Sequence, residues 1–570
     1  MDEQRYEIQM ERDIIAKMRD GVVLRADVFR PTAAGRFPVI MQRTPYNKAN
    51  YNANGAPFAI RAAARGYVVI LQDVRGRFAS DGDWYPFQHE VDDGYDTVEW
   101  AAALPYSNGK VGMFGWSYLG VTQMSAALAQ PPHLVSLFPV VTACDYYDEW
   151  TYRGGVFQQF FNESWASFRL APDTLDRRVK KSANAMNRVW ELPLGGFSFF
   201  ETGSVRDLAP YFFHWLEHST YDDYWKQWSL NGRFGNIAVP CYHVGGWYDI
   251  FLNGTLRNYM GLKAHGGTAE ARNGQRLMIG PWYHDSASFR DGKAGEVSFA
   301  PEGCSNEEDE MLRWFDYTLK GMVSGLAEKP VRIFVMGENV WREEEDWPLR
   351  RARSTRFHLH SGGSANSLHG DGSLSDSAPE AESPDAFVYD PANPVRTQGG
   401  GNCCDHDHLA PGVFDQRPVE NRADVLVYST LPLDSDMEVT GPVTAELFVS
   451  SSAVDTDFTA KLVDVHPDGF ARNLADGILR LRFRNSFERA EPLVPGEIYK
   501  IKIDLWATSN LFRQGHRIRL EIASSNFPRY DRNLNTGADL LTGERMLRAS
   551  QTVYHDRDHP SALILPIVPR

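Results

Sequence analysis

The chain has 570 residues, of which 43% are hydrophobic and 23% are charged, with 59 basic and 74 acidic side chains. A chain of this length is too long for one hydrophobic core, so we expect several domains of ordinary globular composition. The formal net charge of -15 repels nucleic-acid phosphates and anionic lipid surfaces, which argues against both as partners.

The amino terminus, MDEQRYEIQMERDI, is charged throughout and lacks the apolar stretch of a signal peptide. No apolar run approaches the roughly 18–20 residues that a membrane-spanning helix needs, so we expect no membrane contact. Five cysteines in so long a chain predict no disulfide scaffold. Together these features indicate a protein of the reducing cytoplasm.

Residues 1–145 alternate between strand-like and helix-like segments. GYVVILQDVRG (66–76) is a short apolar run typical of a strand buried on both faces, and DGYDTVEWAAALP (93–105) has helical spacing. Strands that alternate with helices predict βαβ units, and hence an α/β fold with a parallel sheet covered on both faces.

The pattern changes twice further along the chain. Residues 146–236 are rich in aromatic residues and arginine, with helical spacing and no clear strand, which predicts a helical insertion over the sheet. Strand and helix character return in residues 237–345, which we assign to the second part of the α/β domain. Residues 346–570 contain short alternating runs separated by turn residues, which predict a β-sandwich or jelly roll.

The segment GKVGMFGWSYLG (109–120) places Ser117 between Gly115 and Gly120, where a predicted strand meets a predicted helix. A nucleophile elbow needs small residues around its serine because the backbone turns sharply there. The glycine that usually stands two residues after the serine is missing, since Leu119 occupies that position. The motif alone leaves a tight turn and a nucleophile both open, and its strand-to-helix context favours the nucleophile.

A serine hydroxyl becomes a nucleophile when a base takes its proton and a third group orients that base. In α/β-hydrolases the chain order is serine, acid, histidine, each just past a strand end. His284 follows the strand-like LMIGPWY and opens a polar loop, whereas the earlier histidines are interpreted as packed or surface residues. Asp249 follows a predicted strand and a double glycine. A helix N-cap is its alternative role, and Asp73 and Asp145 also end strands, but order and spacing favour Asp249.

Two polar segments offer other interpretations. GGGNCCDHDHLAPG (399–412) contains side chains that can ligate a metal, but structural zinc prefers C-x₂₋₄-C spacing with a distant second pair of ligands. We therefore expect no metal and no cofactor, and interpret this segment as a loop that reaches the active site from the β-rich region. NEEDE (306–310) is interpreted as a solvated helix start, with an amine-binding cluster as the alternative.

Five short motifs occur in a characteristic order: RTPYNK, QDVRGR, GWSYLG, GGWYD and GPWYH. With the later segment FDQRPVENRADVLVYST, they resemble the cocaine esterase/NonD family of serine hydrolases, which is related to X-Pro dipeptidyl peptidases and α-amino-acid ester hydrolases. The resemblance spans nearly the whole chain. It implies an α/β-hydrolase fold with an inserted helical cap domain at 146–236 and a C-terminal β jelly-roll domain at 346–570.

The resemblance also implies the functional residues. It gives Ser117, Asp249 and His284 as a catalytic triad, and its elbow pattern, G-x-S-Y-x-G, accounts for the missing glycine. It gives the backbone N–H of Tyr118 and the hydroxyl of Tyr46 as the oxyanion hole; without it, a buried structural role for Tyr46 would be favoured. Trp150, Trp165 and Phe251 are the candidate aromatics of the substrate pocket, with ordinary core packing as the alternative for each.

The predicted activity is that of a serine hydrolase that cleaves a carboxylic ester of a small or aromatic acyl group through an acyl-enzyme intermediate. Amide acylase, α-amino-acid ester hydrolase and dipeptidyl-peptidase-like activities are the enzymatic alternatives, and acyl transfer is not distinguished from hydrolysis. A carbohydrate-binding protein is the alternative without catalysis. We expect a small-molecule ester or amide as substrate and, from the resemblance, a homodimer.

Overall fold

The computed structural model describes residues 5–50, 55–173, 189–190, 192–196, 209–323 and 325–569. Two large sheets contain most of the strands. The strands of the first sheet lie between residues 8 and 344, and those of the second lie between residues 353 and 568. The chain therefore passes from one sheet to the other between residues 344 and 353.

The first sheet has ten strands. In chain order they are β1 (Ile8–Lys17), β2 (Val23–Pro31), β3 (Phe37–Thr44), β4 (Val68–Asp73), β5 (Ser107–Trp116), β6 (Leu134–Val140), β7 (Tyr242–Gly246), β8 (Arg276–Gly280), β9 (Val331–Val335) and β10 (Val340–Glu344). Across the sheet the order is β1-β2-β4-β3-β5-β6-β7-β8-β9-β10. Neighbours from β4 to β9 are parallel, and the outer pairs are antiparallel. The carboxyl ends of the parallel strands therefore lie along one edge.

Eleven α-helices lie within the described part of the chain. They are α1 (Ala56–Ala64), α2 (Glu90–Ala103), α3 (Tyr118–Leu128), α4 (Gln159–Ser164), α5 (Pro210–Glu217), α6 (Asp223–Lys226), α7 (Leu252–His265), α8 (Ala269–Asn273), α9 (Ser286–Asp291), α10 (Glu307–Lys320) and α11 (Arg417–Glu420).

Helices cover both faces of the first sheet, as the strand pattern predicts. Successive side chains of a strand point to opposite faces. On β5, Met113 belongs to a buried cluster that includes side chains of α2 and α3, whereas Phe114 belongs to one that includes side chains of α1 and α10. Gly112 gives Phe315 of α10 room to approach the sheet, since a Cβ at Gly112 would lie 2.6 Å from its ring.

Between β6 and β7 the chain forms α4, α5 and α6, with π-helical turns at Tyr146–Thr151 and Trp165–Leu170. Most of the buried aromatic side chains of this segment form one cluster with residues around α3 and α7. Because so many aromatic side chains favour burial, the segment folds onto the sheet. The expected helical insertion also covers residues 174–188, 191 and 197–208, which lie outside the described residues.

The expectation that residues 146–236 contain no strand is wrong at one place. Tyr152–Arg153 and Val156–Phe157 pair as a two-stranded antiparallel hairpin. Gly154 and Gly155 form its turn with φ of 56° and 74°. Strands of two residues are too short to show an alternating pattern, so the sequence carried no signal for them.

The second sheet has eleven strands. They are β11 (Arg353–His360), β12 (Ser373–Ser375), β13 (Asp385–Tyr389), β14 (Leu426–Ser429), β15 (Met437–Ser451), β16 (Asp457–Val465), β17 (Ala471–Arg480), β18 (Tyr499–Phe512), β19 (Arg517–Ala523), β20 (Ala549–Tyr554) and β21 (Ala562–Val568). Its order is β13-β20-β15-β21-β11-β12-β14-β19-β16-β17, and β18 pairs with β15. The hydrophobic core of this sheet continues into the first part of the chain through Trp247, Leu256 and Val331.

Cys403 and Cys404, adjacent in the sequence, form a disulfide, whereas Cys144, Cys241 and Cys304 are free. The bond joins neighbours, so it cross-links no separated parts of the fold. None of the described helices combines the length and the hydrophobicity that a membrane span requires.

Candidate active site

Ser117 lies in the turn between β5 and α3, with φ of 58° and ψ of −120°. A positive φ is a strained conformation for a residue with a Cβ, so the surrounding contacts must hold it in place. The Ser117 amide donates to the carbonyl of Val140 at 2.9 Å, and the hydroxyl of Thr142 donates to the carbonyl of Ser117 at 2.9 Å. The serine is therefore fixed at the carboxyl end of the sheet.

The two glycines of the motif leave room for this turn. A Cβ on Gly115, whose φ is 140°, would lie 2.6 Å from the Cβ of Leu119. A Cβ on Gly120 would lie 2.5 Å from the Cβ of Thr142. The close approach of the helix to the residues after β6 therefore requires glycine at 120, and Leu119 can occupy the position where other elbows have glycine.

We predict that Gly120→Ala destabilises the fold. Alanine in a helix is favoured over glycine by about 1 kcal/mol, but overpacking a rigid contact costs about 1–3 kcal/mol. Thr142 cannot retreat without losing its hydrogen bond to Ser117, so the cost should exceed the gain. Urea denaturation measures the change, with Gly235→Ala as the control because a Cβ there meets only the carbonyl of His265 at 3.7 Å. Equal stability of Gly120→Ala and wild type would contradict this explanation of the elbow.

Asp249 and His284 form a direct hydrogen bond. The Nδ1 of His284 lies 2.7 Å from the Oδ2 of Asp249, whose residue is 2% exposed, and the histidine side chain is 9% exposed. Because an ionised carboxylate accepts only, Nδ1 carries the proton and Nε2 is the nitrogen that can accept one. The other oxygen of Asp249 accepts the backbone N–H of Phe251 at 2.7 Å, so the turn before α7 also holds the carboxylate.

The loops that carry Ser117 and His284 are packed together. β5, β7 and β8 are parallel strands of one sheet, and the loops carrying Ser117, Asp249 and His284 follow them. Trp116 packs on Phe289 with ring centroids 4.6 Å apart, and Phe289 stacks on Trp282 at 3.9 Å. The sheet therefore brings the three predicted triad residues to one edge.

The two competing carboxylates have structural partners. The Oδ1 of Asp73 accepts the backbone N–H of Lys48 at 2.7 Å, and burial raises the pKa of Asp73 to about 6. The Oδ1 of Asp145 caps the turn after β6 by accepting the N–H of Tyr147 at 2.8 Å, and its Oδ2 accepts the hydroxyl of Ser229 at 2.7 Å. Among the described residues, neither carboxylate is hydrogen-bonded to a histidine, which leaves Asp249 as the acid that meets the histidine at the strand ends.

Of the two donors predicted for the oxyanion hole, one directly follows Ser117 and the other follows the strand next to β5. Tyr118 is the first residue of α3. At this end of a helix the backbone N–H groups have no partner within the helix, and the helix dipole places a positive partial charge there. Tyr46 follows β3, which neighbours β5. The indole N–H of Trp165 donates to the Tyr46 hydroxyl at 3.0 Å, and burial raises the pKa of Tyr46 to about 12, so this hydroxyl keeps its proton.

A buried polar network behind the elbow was not predicted from the sequence. The hydroxyl of Tyr118 accepts the N–H of Phe87 at 2.8 Å and donates to Glu90 at 3.1 Å. Glu90 also accepts from Arg43 at 2.7 Å, and the Arg43 and Glu90 side chains are almost fully buried. Because Arg43 lies near the end of β3, three residues before Tyr46, the network joins the strand that leads to Tyr46 to the helix that begins at Tyr118. The arginine of RTPY was a signal for it, but its partner is 47 residues away in sequence.

The three candidate pocket aromatics form one stack beside the histidine. Phe251 meets His284 edge-on with centroids 5.2 Å apart, and it stacks on Trp150 at 4.4 Å. Trp150 in turn meets Trp165 at 5.1 Å, and Trp165 reaches Tyr46 through the hydrogen bond described above. All three aromatics are buried and pack as core residues, and through their ring contacts and one hydrogen bond they connect His284 to Tyr46.

The predicted loop 399–412 does approach the candidate site. A Cβ on Gly401 would lie 3.2 Å from the carbonyl oxygen of Asp249, and Cys403 belongs to the same buried cluster as Trp150, Trp165 and Phe251. The disulfide between Cys403 and Cys404 removes the two thiolates from the side chains of this loop that could ligate a metal.

Among the residues that the structure describes, a group of three side chains elsewhere in the chain could hold a metal ion. Asp464, His466 and His516 place donor atoms within 4.8 Å of one another, in the hairpins that join β16 to β17 and β18 to β19. Asp464 already accepts hydrogen bonds from His516 at 2.8 Å and from Asn510 at 3.2 Å. The group belongs to the second sheet, apart from the residues gathered around Ser117.

A strained serine turn after one parallel strand, with a hydrogen-bonded Asp–His pair after later strands, is the arrangement of α/β-hydrolases with a serine nucleophile. Two family descriptions match the chain: X-Pro dipeptidyl-peptidase (S15 family) over residues 20–286, and X-Pro dipeptidyl-peptidase C-terminal non-catalytic domain over residues 325–564. The cocaine esterase of Rhodococcus sp. (strain MB1 Bresler) is 39% identical over 98% of each chain. The chain therefore belongs to the cocaine esterase/NonD family of serine hydrolases, and the predicted resemblance is confirmed.

Solved structures agree with this assignment. An alpha-amino acid ester hydrolase has a TM-score of 0.83 at 25% identity, with 100% of this chain and 98% of that chain covered. An aminopeptidase from a marine sediment archaeon, Thaumarchaeota archaeon, has a TM-score of 0.85 at 25% identity, with 99% and 97% covered. The fold is thus an α/β-hydrolase with a C-terminal, mostly β-sheet domain of the non-catalytic type.

Proposed function

We propose that the protein hydrolyses carboxylic esters of a small or aromatic acyl group, with Ser117 as nucleophile, His284 as base and Asp249 as the acid that orients it. The observation that carries this proposal is the 2.7 Å hydrogen bond from His284 Nδ1 to Asp249 Oδ2, at the sheet edge where Ser117 sits in a strained turn. A serine in an ordinary turn needs neither the strain nor the oriented base.

In the proposed reaction the Ser117 hydroxyl attacks the ester carbonyl and gives its proton to Nε2 of His284. Asp249 holds the imidazole in the required tautomer and stabilises its positive charge. The developing oxyanion accepts hydrogen bonds from the Tyr118 N–H and the Tyr46 hydroxyl. The alcohol leaves with the proton from His284. A water molecule, deprotonated by His284, then attacks the acyl-enzyme, releases the acid and restores Ser117.

The surroundings of the histidine support an apolar acyl group. Phe251, Trp150 and Trp165 connect His284 to Tyr46 through ring contacts and one hydrogen bond. We propose that an acyl group held between His284 and Tyr46 packs against this aromatic cluster. Pockets lined by aromatic side chains with a few polar groups are typical of small-molecule sites. The relative with 39% identity is named a cocaine esterase, which agrees with ester hydrolysis.

The alternative activities on substrates with a free amine find less support. The α-amino-acid ester hydrolase and the aminopeptidase are the structures that suggest them. Among the acids of NEEDE, Glu308 and Asp309 pair with Arg61 at 3.1 Å and 3.0 Å, and Glu310 pairs with Arg313 at 2.7 Å. Glu307 and Glu310 are buried, which differs from the solvated helix start that we expected. The other acids and Glu310 are held by arginines rather than left for a substrate amine, and we place esters without an amine first.

The finer architecture is part of the same proposal. We place residues 1–145 and 237–345 in the α/β-hydrolase domain, 146–236 in a helical cap, and 346–570 in a jelly roll. The hydrogen bond from Trp165 to Tyr46 supports a cap over the elbow, and the largely antiparallel second sheet supports the jelly roll. We expect a cytoplasmic homodimer that acts on small molecules, with no cofactor and no nucleic-acid or membrane partner.

Hydrolysis of a matched ester panel tests the proposed function. Wild-type protein is assayed on p-nitrophenyl acetate, butyrate and benzoate, on the corresponding anilides, and on an amino-acid ester with a free amine. We expect ester turnover with a pre-steady-state burst of nitrophenol, as an acyl-enzyme produces. Faster turnover of anilides or of the amino-acid ester would favour the alternatives, and no turnover of any compound by folded protein would contradict hydrolase function.

For Tyr46→Phe we predict a loss of about 10²–10³-fold in kcat with a smaller change in KM, because one oxyanion donor contributes about that much. The loss should be constant between about pH 6 and about pH 10, since the raised pKa of Tyr46, about 12, keeps the hydroxyl protonated throughout. Tyr317→Phe, at an exposed position on α10, is the control and should match wild type. Equal kcat values for Tyr46→Phe and wild type would exclude Tyr46 from the oxyanion hole.

A further inference from the structure

The disulfide between Cys403 and Cys404 lies against the candidate acyl site. Cys403 is 2% exposed and belongs to the buried cluster of Trp150, Trp165 and Phe251, and Cys404 packs against the same cluster while remaining partly exposed. The disulfide is therefore part of the buried apolar cluster that also contains Phe251, the ring that meets His284 edge-on. The catalytic scheme proposed above does not use them.

The segment around the disulfide contacts the loops of both proposed catalytic partners. Gly401 lies against the main chain of Asp249, where a Cβ would come within 3.2 Å of the carbonyl oxygen. His406, on the other side of the disulfide, is 3.5 Å from the carboxylate of Asp285 and meets the ring of Tyr283 edge-on at 5.3 Å. Because Tyr283 and Asp285 flank His284, a change in this segment reaches the residues next to the base and next to the acid.

The base of the segment is anchored, so motion is confined to the residues near the disulfide. The side-chain amide of Asn402 donates to the carbonyls of Gly399 at 3.0 Å and Ala410 at 3.1 Å. Gly400 and Gly412 exchange backbone hydrogen bonds at 2.7 Å and 2.9 Å. These contacts hold the ends of the segment together whatever the state of the sulfurs.

A bond between adjacent cysteines closes a small ring through their shared peptide group and fixes both side chains. Reduction by a dithiol breaks the S–S bond: the two protein sulfurs gain two electrons and two protons as thiols, and the reductant becomes its own disulfide. The unbonded sulfurs then separate to van der Waals distance and turn about their side-chain bonds. The part of the buried cluster that the two cysteines form, here called the wall, therefore has different shapes in the two states.

We propose that the Cys403–Cys404 disulfide determines acyl-group specificity, and that its reversible reduction by a dithiol lowers the activity toward aromatic esters more than toward small ones. This inference rests on the proposed ester hydrolase function. Disulfides in reducing compartments are usually catalytic or redox-sensing, which agrees with a bond that joins adjacent residues and stabilises no long loop. An acetyl group is too small to depend on the wall, whereas a benzoyl group needs its apolar surface.

The test compares kcat/KM for p-nitrophenyl benzoate and acetate in oxidised protein and in protein reduced with dithiothreitol. Alkylation and mass spectrometry count the thiols, and two additional ones should appear on residues 403 and 404 after reduction. We expect the benzoate-to-acetate ratio to fall about tenfold, the size of effect that a small change in a hydrophobic pocket produces. Reoxidation should restore the ratio.

Two variants separate this effect from other consequences of reduction. Cys403→Ala/Cys404→Ala should have a low ratio in both conditions, and Cys304→Ala, which changes a free and partly exposed thiol, should respond to reductant as wild type does. If the double variant does not fold, wild type in its two redox states still decides the question. Cysteines 403 and 404 found as free thiols without reductant, or an unchanged ratio after their reduction, would overturn the inference. Oxidised protein that hydrolyses neither ester would instead show that the underlying hydrolase proposal has failed.

Discussion

Replacement of Ser117 by alanine is expected to lower kcat for ester hydrolysis by about 10⁴- to 10⁶-fold, which is the loss seen when a serine nucleophile is removed. Alanine keeps the Cβ and therefore the same backbone constraint at φ of 58°, so the variant removes the oxygen without rebuilding the turn. The Ser117 backbone bonds to Val140 and Thr142 are also kept. KM should change little, because the hydroxyl contributes mainly to the transition state.

The control for this variant is Ser354→Ala, an exposed serine on β11 that should retain wild-type kcat. Thermal unfolding and near-ultraviolet circular dichroism establish that both variants are folded. Retention of more than about one-tenth of wild-type kcat by folded Ser117→Ala would exclude this serine as the nucleophile, since every role proposed for it requires the oxygen.

Asp249→Asn is expected to lower kcat by about 10⁴-fold with a small effect on KM. The asparagine can donate its amide N–H to Nδ1 of His284 and so place the imidazole proton on Nε2, where it can no longer accept the proton of Ser117. The backbone N–H of Phe251 can still be accepted by the amide oxygen, so the turn before α7 is kept. Kinetics across a range of pH with matched thermal unfolding measure the effect.

Asp73→Asn and Asp145→Asn serve as comparison variants because these residues were the competing acids. Their carboxylates hold the backbone N–H groups of Lys48 and Tyr147, so each variant should be less stable but keep kcat within about threefold of wild type. If folded Asp145→Asn loses activity and Asp249→Asn stays active, the acid of the triad is Asp145, after the strand next to the elbow, and not Asp249.

The sequence predicted the elbow because its signal is local. A strand, a serine between glycines and a helix follow one another within a few residues, and each has a physical requirement that can be read from residue type. The reason for glycine at 120, rather than at 119, is not local: it is the contact with Thr142, which lies beyond the next strand. Family resemblance supplied the correct spacing where physical reasoning from neighbours could not.

The residues around the elbow were harder to predict because their partners are distant in the chain. Tyr46 alone would have been taken for a structural tyrosine, and its hydrogen bond comes from Trp165, 119 residues away. The Arg43–Glu90–Tyr118 network joins three separate elements, and periodicity reports only on each element by itself. Trp150, Trp165 and Phe251 belong to one buried cluster in the structure. Whether these side chains contact a substrate depends on how the segment after β6 folds over the sheet, which neighbouring residues in the sequence do not reveal.

The loop at 399–412 also has contacts with distant parts of the chain that the sequence pattern does not reveal. Its glycines suggested that the backbone of the loop comes close to the active site, and the structure places Gly401 against Asp249. The alternative of a metal site was based on the two cysteines together with the Asp and His side chains of residues 405–408, and the structure pairs the two cysteines in a disulfide. Residue types alone did not distinguish a pair of thiolate ligands from an oxidised pair.

The central claim, that Ser117 is the residue that becomes acylated, is tested most directly by mapping a covalent adduct. Wild-type protein is treated with a fluorophosphonate and digested with trypsin, which releases residues 111–153 as one peptide containing Ser117, Ser125 and Ser136. Fragmentation of that peptide should place the phosphonyl group on Ser117, and prior heat denaturation should abolish labelling. An adduct on another residue, or none in folded protein that hydrolyses esters, would contradict the account.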